Sequence, residues 1–133
     1  MQVIAAYLAT LVAFVAIDLI WLGVVAKDFY RRALGPLMAE PINWGAAMAF
    51  YAVFAIGIVV FAVLPALASG GPWRGLGLGL LFGFFAYATY DLTNLATLKG
   101  FPLKLALVDM AWGALLTGAA AAIGTAVAQH VSS

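Results

Sequence analysis

The sequence predicts an all-α integral membrane protein in which residues 1–133 form one transmembrane domain, a bundle of four helices. Apolar residues make up 67% of the chain and charged residues only 8%, too few charges to cover a water-facing surface. The apolar residues fall into four long runs, and a membrane-spanning helix needs about 20 such residues. Because helices satisfy their own backbone hydrogen bonds within hydrocarbon, we expect all four runs to be helical.

The first span is expected at about residues 3–25. We interpret it as a retained helix rather than a signal peptide, because no Lys or Arg precedes it and the apolar run is long. A polar and aromatic interfacial segment follows at residues 26–44. Pro36 and Pro41 interrupt this segment, so that it holds at most a short helix over Lys27–Leu34.

The remaining three spans are expected at about residues 45–67, 75–98 and 103–127. Turns rich in Gly and Pro separate them, one at Ser69–Pro72 and one at Lys99–Pro102. The connections are therefore short, and neighbouring spans run in opposite directions.

Basic residues predict the orientation of the spans. The first and third loops contain five of the six Lys and Arg residues: Lys27, Arg31, Arg32, Lys99 and Lys104. The second loop contains only Arg74. Because cytoplasmic loops carry the excess of Lys and Arg, we expect the first and third loops in the cytoplasm and both termini outside, in the cell inner (cytoplasmic) membrane.

Composition also limits the chemistry. The chain has no cysteine and a single histidine, His130, so thiolate metal sites, iron–sulfur clusters and bis-histidine haem within one chain are not expected. A formal net charge of +1 does not provide the basic face that nucleic acid requires. We therefore expect no cofactor and no nucleic-acid partner.

Gly75, Gly79 and Gly83 recur every fourth residue at the start of the third span. This spacing places small residues on one stripe and lets another helix approach closely. The approaching helix is either a neighbour within the bundle, which we favour, or part of a homo-oligomer or of a larger membrane partner.

The most informative residues are three aspartates inside the predicted spans: Asp18, Asp91 and Asp109. An aspartate at mid-helix costs roughly 2.5–3.5 kcal/mol on an insertion scale, so three of them in a small protein need an explanation. Counted at 1.5 Å per residue, each lies roughly 10 Å from the cytoplasmic end of its span. Because polar groups at one depth of a bundle normally face inward, we predict that they form one polar cluster.

Aromatic and amide side chains extend this cluster. Trp21, Asn94 and Trp112 each follow one of the aspartates by three residues and so share its helical face. The predicted ligand-binding site consists of eight residues: Asp18, Trp21, Tyr51, Tyr90, Asp91, Asn94, Asp109 and Trp112. Carboxylates and aromatic rings around one space can bind a cation, or can hold a polar headgroup by hydrogen bonds.

A structural role for the aspartates is the alternative. Each carboxylate would then cap a helix, hydrogen-bond to Trp or Asn, or pair with a loop cation: Arg31, Arg32, Lys99 or Lys104. Membrane hydrogen bonds average only about 0.6 kcal/mol, which is too little to offset the burial of an aspartate for stability alone. We therefore favour a ligand or proton site.

A short internal similarity links the first and third spans. The segment Ile17–Leu22 resembles Tyr90–Leu95, with an aspartate at the second position of each. The two segments would lie parallel, as expected if a two-helix hairpin had been duplicated. Coincidence explains so few identities equally well.

The chain also resembles a bacterial membrane family, domain of unknown function 2177. Five segments carry the resemblance: Asp18–Gly23, Phe29–Tyr30, Leu34–Leu37, Tyr90–Thr97 and Asp109–Gly113. The resemblance implies a prokaryotic membrane protein of four helices, and it implies no activity.

Three functions remain open at this point. The first is binding or transport of a small cationic or amphiphilic ligand by the intramembrane site, with proton coupling as a variant. The second is an accessory subunit that packs against a larger membrane complex through the glycine stripe. The third is a small enzyme acting on a membrane lipid, in which two carboxylates serve as acid and base or three bind Mg²⁺. Membrane lipids are expected neighbours in every case.

Overall fold

The computed structural model describes residues 1–25, 27–35 and 43–132. Within these residues, six α-helices follow one another: α1 at Gln2–Ile20, α2 at Lys27–Leu34, α3 at Trp44–Ile58, α4 at Leu64–Ala68, α5 at Gly71–Thr97 and α6 at Leu103–Ser132. A π-helical turn at Trp21–Val25 extends α1, and another at Val59–Val63 joins α3 to α4. Pro36, Glu40 and Pro41 of the interfacial segment lie outside the described residues.

Four stretches of the described part of the chain are long and apolar enough to cross a membrane: Gln2–Val24, Trp44–Ala68, Gly71–Thr97 and Leu103–Val131. We call them the first to fourth spans. The prediction of an all-α bundle of four transmembrane helices is therefore confirmed, and the described residues contain no strand.

The third span begins four residues earlier than the sequence indicated. Gly70 and Gly71 both have positive φ, 97° and 68°, a conformation that glycine adopts at little cost. Pro72 then occupies the first turn of α5, where its missing N–H group needs no partner. Two glycines thus suffice for the reversal, and the helix starts at once.

Helix α6 lies at the centre of the bundle. It packs along α5 and α1, and it also contacts the second half of the second span. The buried core consists of side chains from the first, second and fourth spans: Ala6, Phe14, Ile58, Ala62, Val63, Leu116, Ala120, Ala121 and Ala128. Small residues dominate on α6, so its neighbours approach closely.

The glycine stripe of α5 is buried against α6. A Cβ atom on Gly79 would lie 2.8 Å from the Ala121 Cβ and from the Gly118 Cα, and a Cβ on Gly83 would lie 2.6 Å from the Gly113 carbonyl oxygen. The intramolecular interpretation of the stripe is thus correct. Because α6 already fills the stripe, these glycines are not open to a larger membrane partner in this fold.

The two halves of the second span pack mainly against different neighbours. On the α3 side, the Tyr7 hydroxyl of α1 donates to the Ala52 carbonyl at 3.3 Å, and Phe14 packs edge-on against Tyr51 at 5.9 Å. Beyond the π-helical turn that starts at Val59, the span packs against α5. The part of α3 near Trp44 therefore packs against α1 and leaves a gap between α3 and α5.

Gly79→Ala is expected to destabilise the fold by about 1–3 kcal/mol, because the added methyl group overlaps α6 backbone and α5 has to move away. Gly77→Ala is the matched control. A Cβ on Gly77 meets nothing within 4 Å, so that variant should be neutral or up to about 1 kcal/mol more stable through helix propensity. Thermal unfolding in mild detergent compares the two variants, and equal melting temperatures would contradict the close packing of α5 on α6.

Candidate functional site

The three intramembrane aspartates come together from three different helices. Asp18 of α1 is 8% exposed and Asp91 of α5 is 1% exposed, while Asp109 of α6 is half-buried. Asp109 interacts electrostatically with Asp18, and its carboxyl is hydrogen-bonded to that of Asp91. The bundle therefore concentrates three carboxyl groups at one level.

Both carboxyl oxygens of Asp18 accept hydrogen bonds. The Tyr51 hydroxyl donates a hydrogen bond to its Oδ2 at 2.8 Å, and the indole Nε1 of Trp112 donates to its Oδ1 at 3.2 Å. One carboxyl thus connects the first, second and fourth spans. Both oxygens are satisfied by donors with an apolar body, as burial of a carboxylate requires.

Two tryptophans cover this hydrogen-bonded group. The rings of Trp21 and Trp112 stack with centroids 4.3 Å apart and an interplanar angle of 13°. Trp21 is the first residue of the π-helical turn that extends α1, and such turns are frequent at functional sites. The stack fixes the orientation of the indole whose nitrogen donates to Asp18.

Asp91 has a different environment. It is hydrogen-bonded to the Asp109 carboxyl. Its other oxygen, Oδ2, is buried and has no hydrogen-bond partner among the described residues. Two carboxyl groups can hydrogen-bond to each other only when they hold a proton between them. Asp91 and Asp109 therefore form a carboxyl pair, whereas Asp18 is held by neutral donors.

A cleft of about 590 Å³ opens beside the carboxyl pair. It lies between α3 and α5, and its walls are alanine and aromatic side chains together with one carboxyl: Ala46, Ala47, Phe50, Phe54, Ala86, Tyr87, Tyr90 and Asp109. The Phe54 ring of this wall stacks on Phe82, with centroids 5.3 Å apart. Since Phe50 and Tyr90 are exposed, the cleft opens towards the lipid side of the bundle.

The structure places the eight residues predicted from the sequence in different environments. Asp18, Trp21, Tyr51 and Trp112 form the hydrogen-bonded and stacked group. Asp91 and Asp109 form the carboxyl pair, and Asp109 also lines the cleft together with Tyr90. Asn94 is half-buried on the same helix as Asp91 and takes no part in the Asp18 hydrogen bonds.

Sequence reasoning missed most of the cleft wall. Tyr87 lies four residues before Asp91 and so on the same helical face, a spacing that would have identified it. Phe54 and the three alanines Ala46, Ala47 and Ala86 give no such signal, because aromatic and small residues are common everywhere in transmembrane helices.

A family model described as "Predicted membrane protein (DUF2177)" matches residues 3–126, nearly the whole chain. The chain belongs to this family. No curated protein and no solved structure matches it significantly. The family description, a membrane protein, agrees with the membrane-spanning helices of this DUF2177 protein.

Within the described part of this DUF2177 protein, no group of three or more His, Asp or Glu side chains is arranged to hold a metal ion. The Asp18 oxygens accept hydrogen bonds from Tyr51 and Trp112, and Asp91 is hydrogen-bonded to Asp109. Their arrangement therefore does not favour the Mg²⁺ site considered from the sequence.

Several basic side chains of the DUF2177 protein interact with groups other than the buried aspartates. The Arg32 guanidinium donates to the Asp28 carbonyl at 3.4 Å, and the Lys104 ammonium lies 6.0 Å from the centre of the Phe29 ring. The side chains of Lys27 and Arg31 lie outside the described residues. These contacts argue against the structural alternative in which Arg32 and Lys104 form ion pairs with the buried aspartates and neutralise them.

Tyr51→Phe is expected to lower the free energy of unfolding by about 1–3 kcal/mol, because it removes one donor from a buried carboxyl. Tyr90→Phe is the control, since Tyr90 is 62% exposed and should change stability little. Chemical or thermal unfolding in detergent measures both variants. Indistinguishable stabilities would show that the Tyr51 hydroxyl does not hold Asp18.

Proposed function

We propose that this protein binds a small lipophilic cation in the cleft between α3 and α5, with the positive charge against Asp109. The observation that carries the proposal is the composition of the cleft wall: four aromatic rings, three alanines and a single carboxyl. Aromatic faces attract a desolvated cation, and the attraction is strongest where water is excluded. A ligand with an apolar body and one positive charge matches this wall.

The two kinds of carboxyl suggest separate roles. Asp18 already accepts hydrogen bonds from Tyr51 and Trp112, so we assign it a positioning role that holds α6 and therefore Asp109 in place. Asp109 lines the cleft, so it is the carboxyl that a ligand reaches first. Asp91 does not line the cleft and is hydrogen-bonded to Asp109.

Access from the bilayer supports a membrane-partitioned ligand. Phe50 and Tyr90 are both exposed on the surface that faces lipid, and the cleft opens between their helices. A lipophilic cation concentrated at the membrane interface would enter sideways, aromatic body first. Binding is the proposed activity, and transport would additionally require a path to the opposite side of the membrane.

The proposed orientation places this cleft in the cytoplasmic half of the inner membrane. The carboxyls lie near the ends of the spans joined by the Lys- and Arg-rich loops, and such loops face the cytoplasm. The short turn at Ser69–Gly70 and both termini would then face outwards.

Tetraphenylphosphonium and tetraphenylborate provide a test with two ions of nearly the same shape and opposite charge. Saturable binding of the labelled cation to the purified protein in nanodiscs is expected, and binding of the anion is not. Asp109→Asn should weaken cation binding at least about tenfold, or about 1.4 kcal/mol, because it removes the carboxylate at the cleft.

The matched control is Asp28→Asn, which removes an exposed carboxylate from α2 and should leave the affinity unchanged. Equal binding of both ions, or equal cation affinity in wild type and Asp109→Asn, would reject Asp109 as the cation site. Absence of any saturable cation binding by the wild type would reject the proposed function.

The orientation has its own test, since the chain has no cysteine and single cysteines can be introduced without background. Ser69→Cys is expected to react with a membrane-impermeant maleimide in intact cells from which any outer membrane has been removed. Lys99→Cys should react only after the remaining membrane is permeabilised. The reverse labelling pattern would invert the proposed topology.

A further inference from the structure

The carboxyl pair contains a buried oxygen that the fold leaves unsatisfied. Asp91 is 1% exposed, and its Oδ2 has no hydrogen-bond partner among the described residues. A buried carboxylate oxygen without a donor costs more than a protonated one, because the full charge is then desolvated. The Asp91 carboxyl is therefore suited to exist in a protonated form, with Asp109 as the acceptor of its hydrogen bond.

Only one member of the pair meets the cleft. Asp109 lines it, whereas Asp91 lies behind and does not. A cation in the cleft would thus contact the Asp109 carboxyl directly, and Asp109 would lie between the cation and Asp91. A positive charge at this point stabilises the doubly ionised pair and competes with the proton that the two carboxyls hold.

We infer that a cation entering the cleft displaces the proton held between Asp91 and Asp109, so that the site exchanges one proton for one monovalent cation. This inference rests on the proposed function, because it needs a cation in the cleft. The charges balance: the singly protonated pair carries −1 before binding, and the ionised pair with its cation carries −1 after one proton has left. No covalent bond other than the carboxyl O–H bond is broken.

The ionisable groups around the pair come from each packed helix. These are Asp18 from α1, Tyr51 from α3, Tyr87 and Tyr90 from α5, and Lys104 at the start of α6. Asp18 is held by two donors, and the Lys104 ammonium lies over the Phe29 ring.

On the short helix α2, Asp28 and Arg32 are exposed, and the side chains of Lys27, Tyr30 and Arg31 are not described. The hydrogen bond between carboxyls singles out Asp91 and Asp109 as the source of the proton.

Tetraphenylphosphonium has no exchangeable proton, so any proton released on its binding comes from the protein. Isothermal titration in buffers of different ionisation enthalpy counts these protons. We expect the count to rise to about one per cation as the pH falls into the range where the pair holds its proton. Across that range the cation affinity should weaken by about tenfold for each unit of pH lowered, because proton and cation compete.

The Asp91→Asn variant tests whether the released proton comes from the carboxyl pair. The amide of the substituted side chain can still donate to Asp109, while the pair loses one carboxyl. Cation binding should persist, and both the proton release and the pH dependence of affinity should disappear. Asp28→Asn should behave like the wild type in both measurements.

The outcomes separate the two proposals. Wild-type binding without proton release and without pH dependence would overturn the exchange and leave cation binding intact. Proton release that persists in a folded Asp91→Asn variant would also overturn it, because the proton would then come from another group. Absence of wild-type binding would reject the proposed function itself. If Asp91→Asn does not fold, the number of protons that the wild type releases per bound cation still tests the exchange.

Discussion

Burial of the Asp18 carboxyl is the constraint on which the rest of this bundle depends. A charged or polar group within hydrocarbon needs partners supplied by the protein, because no water is available. Asp18 obtains them from Tyr51 on the second span and Trp112 on the fourth. The first, second and fourth spans are therefore fixed in depth and in rotation by one group, and the stack of Trp21 on Trp112 reinforces the same arrangement.

The two sides of α5 explain why a cleft exists next to such a closely packed bundle. On one side, glycines let α5 approach the backbone of α6, as the contact of Gly79 with Gly118 shows. Towards α3, Phe82 stacks on Phe54 and Tyr87 meets Phe54 edge-on, so ring contacts replace close packing of the backbones. Because α3 is also attached to α1 through Tyr51 and Asp18, it cannot close the gap. The cleft is a consequence of these two attachments.

The similarity between the first and third spans acquires a physical meaning from their different neighbours. Asp18 and Asp91 occupy equivalent positions in the two similar segments and are both buried. Asp18 is followed after three residues by Trp21 and is satisfied by neutral donors, whereas Asp91 is followed by Asn94 and interacts with a second carboxyl. Thus the same local pattern supports a structural aspartate in one helix and an ionisable pair in the other.

The sequence by itself determined the fold class and the depth of the site. Length, hydropathy and turn residues specify four spans, because the thickness of the bilayer fixes how long each must be. The position of an aspartate along its span then sets its depth, which is why Asp18, Asp91 and Asp109 were placed at one level. Only the tertiary structure decided which carboxyls pair and where the cleft lies. Those features depend on the rotation and tilt of each helix, which are set by packing between residues far apart in the chain. Such contacts produce no periodic pattern of residues that could be recognised in the sequence.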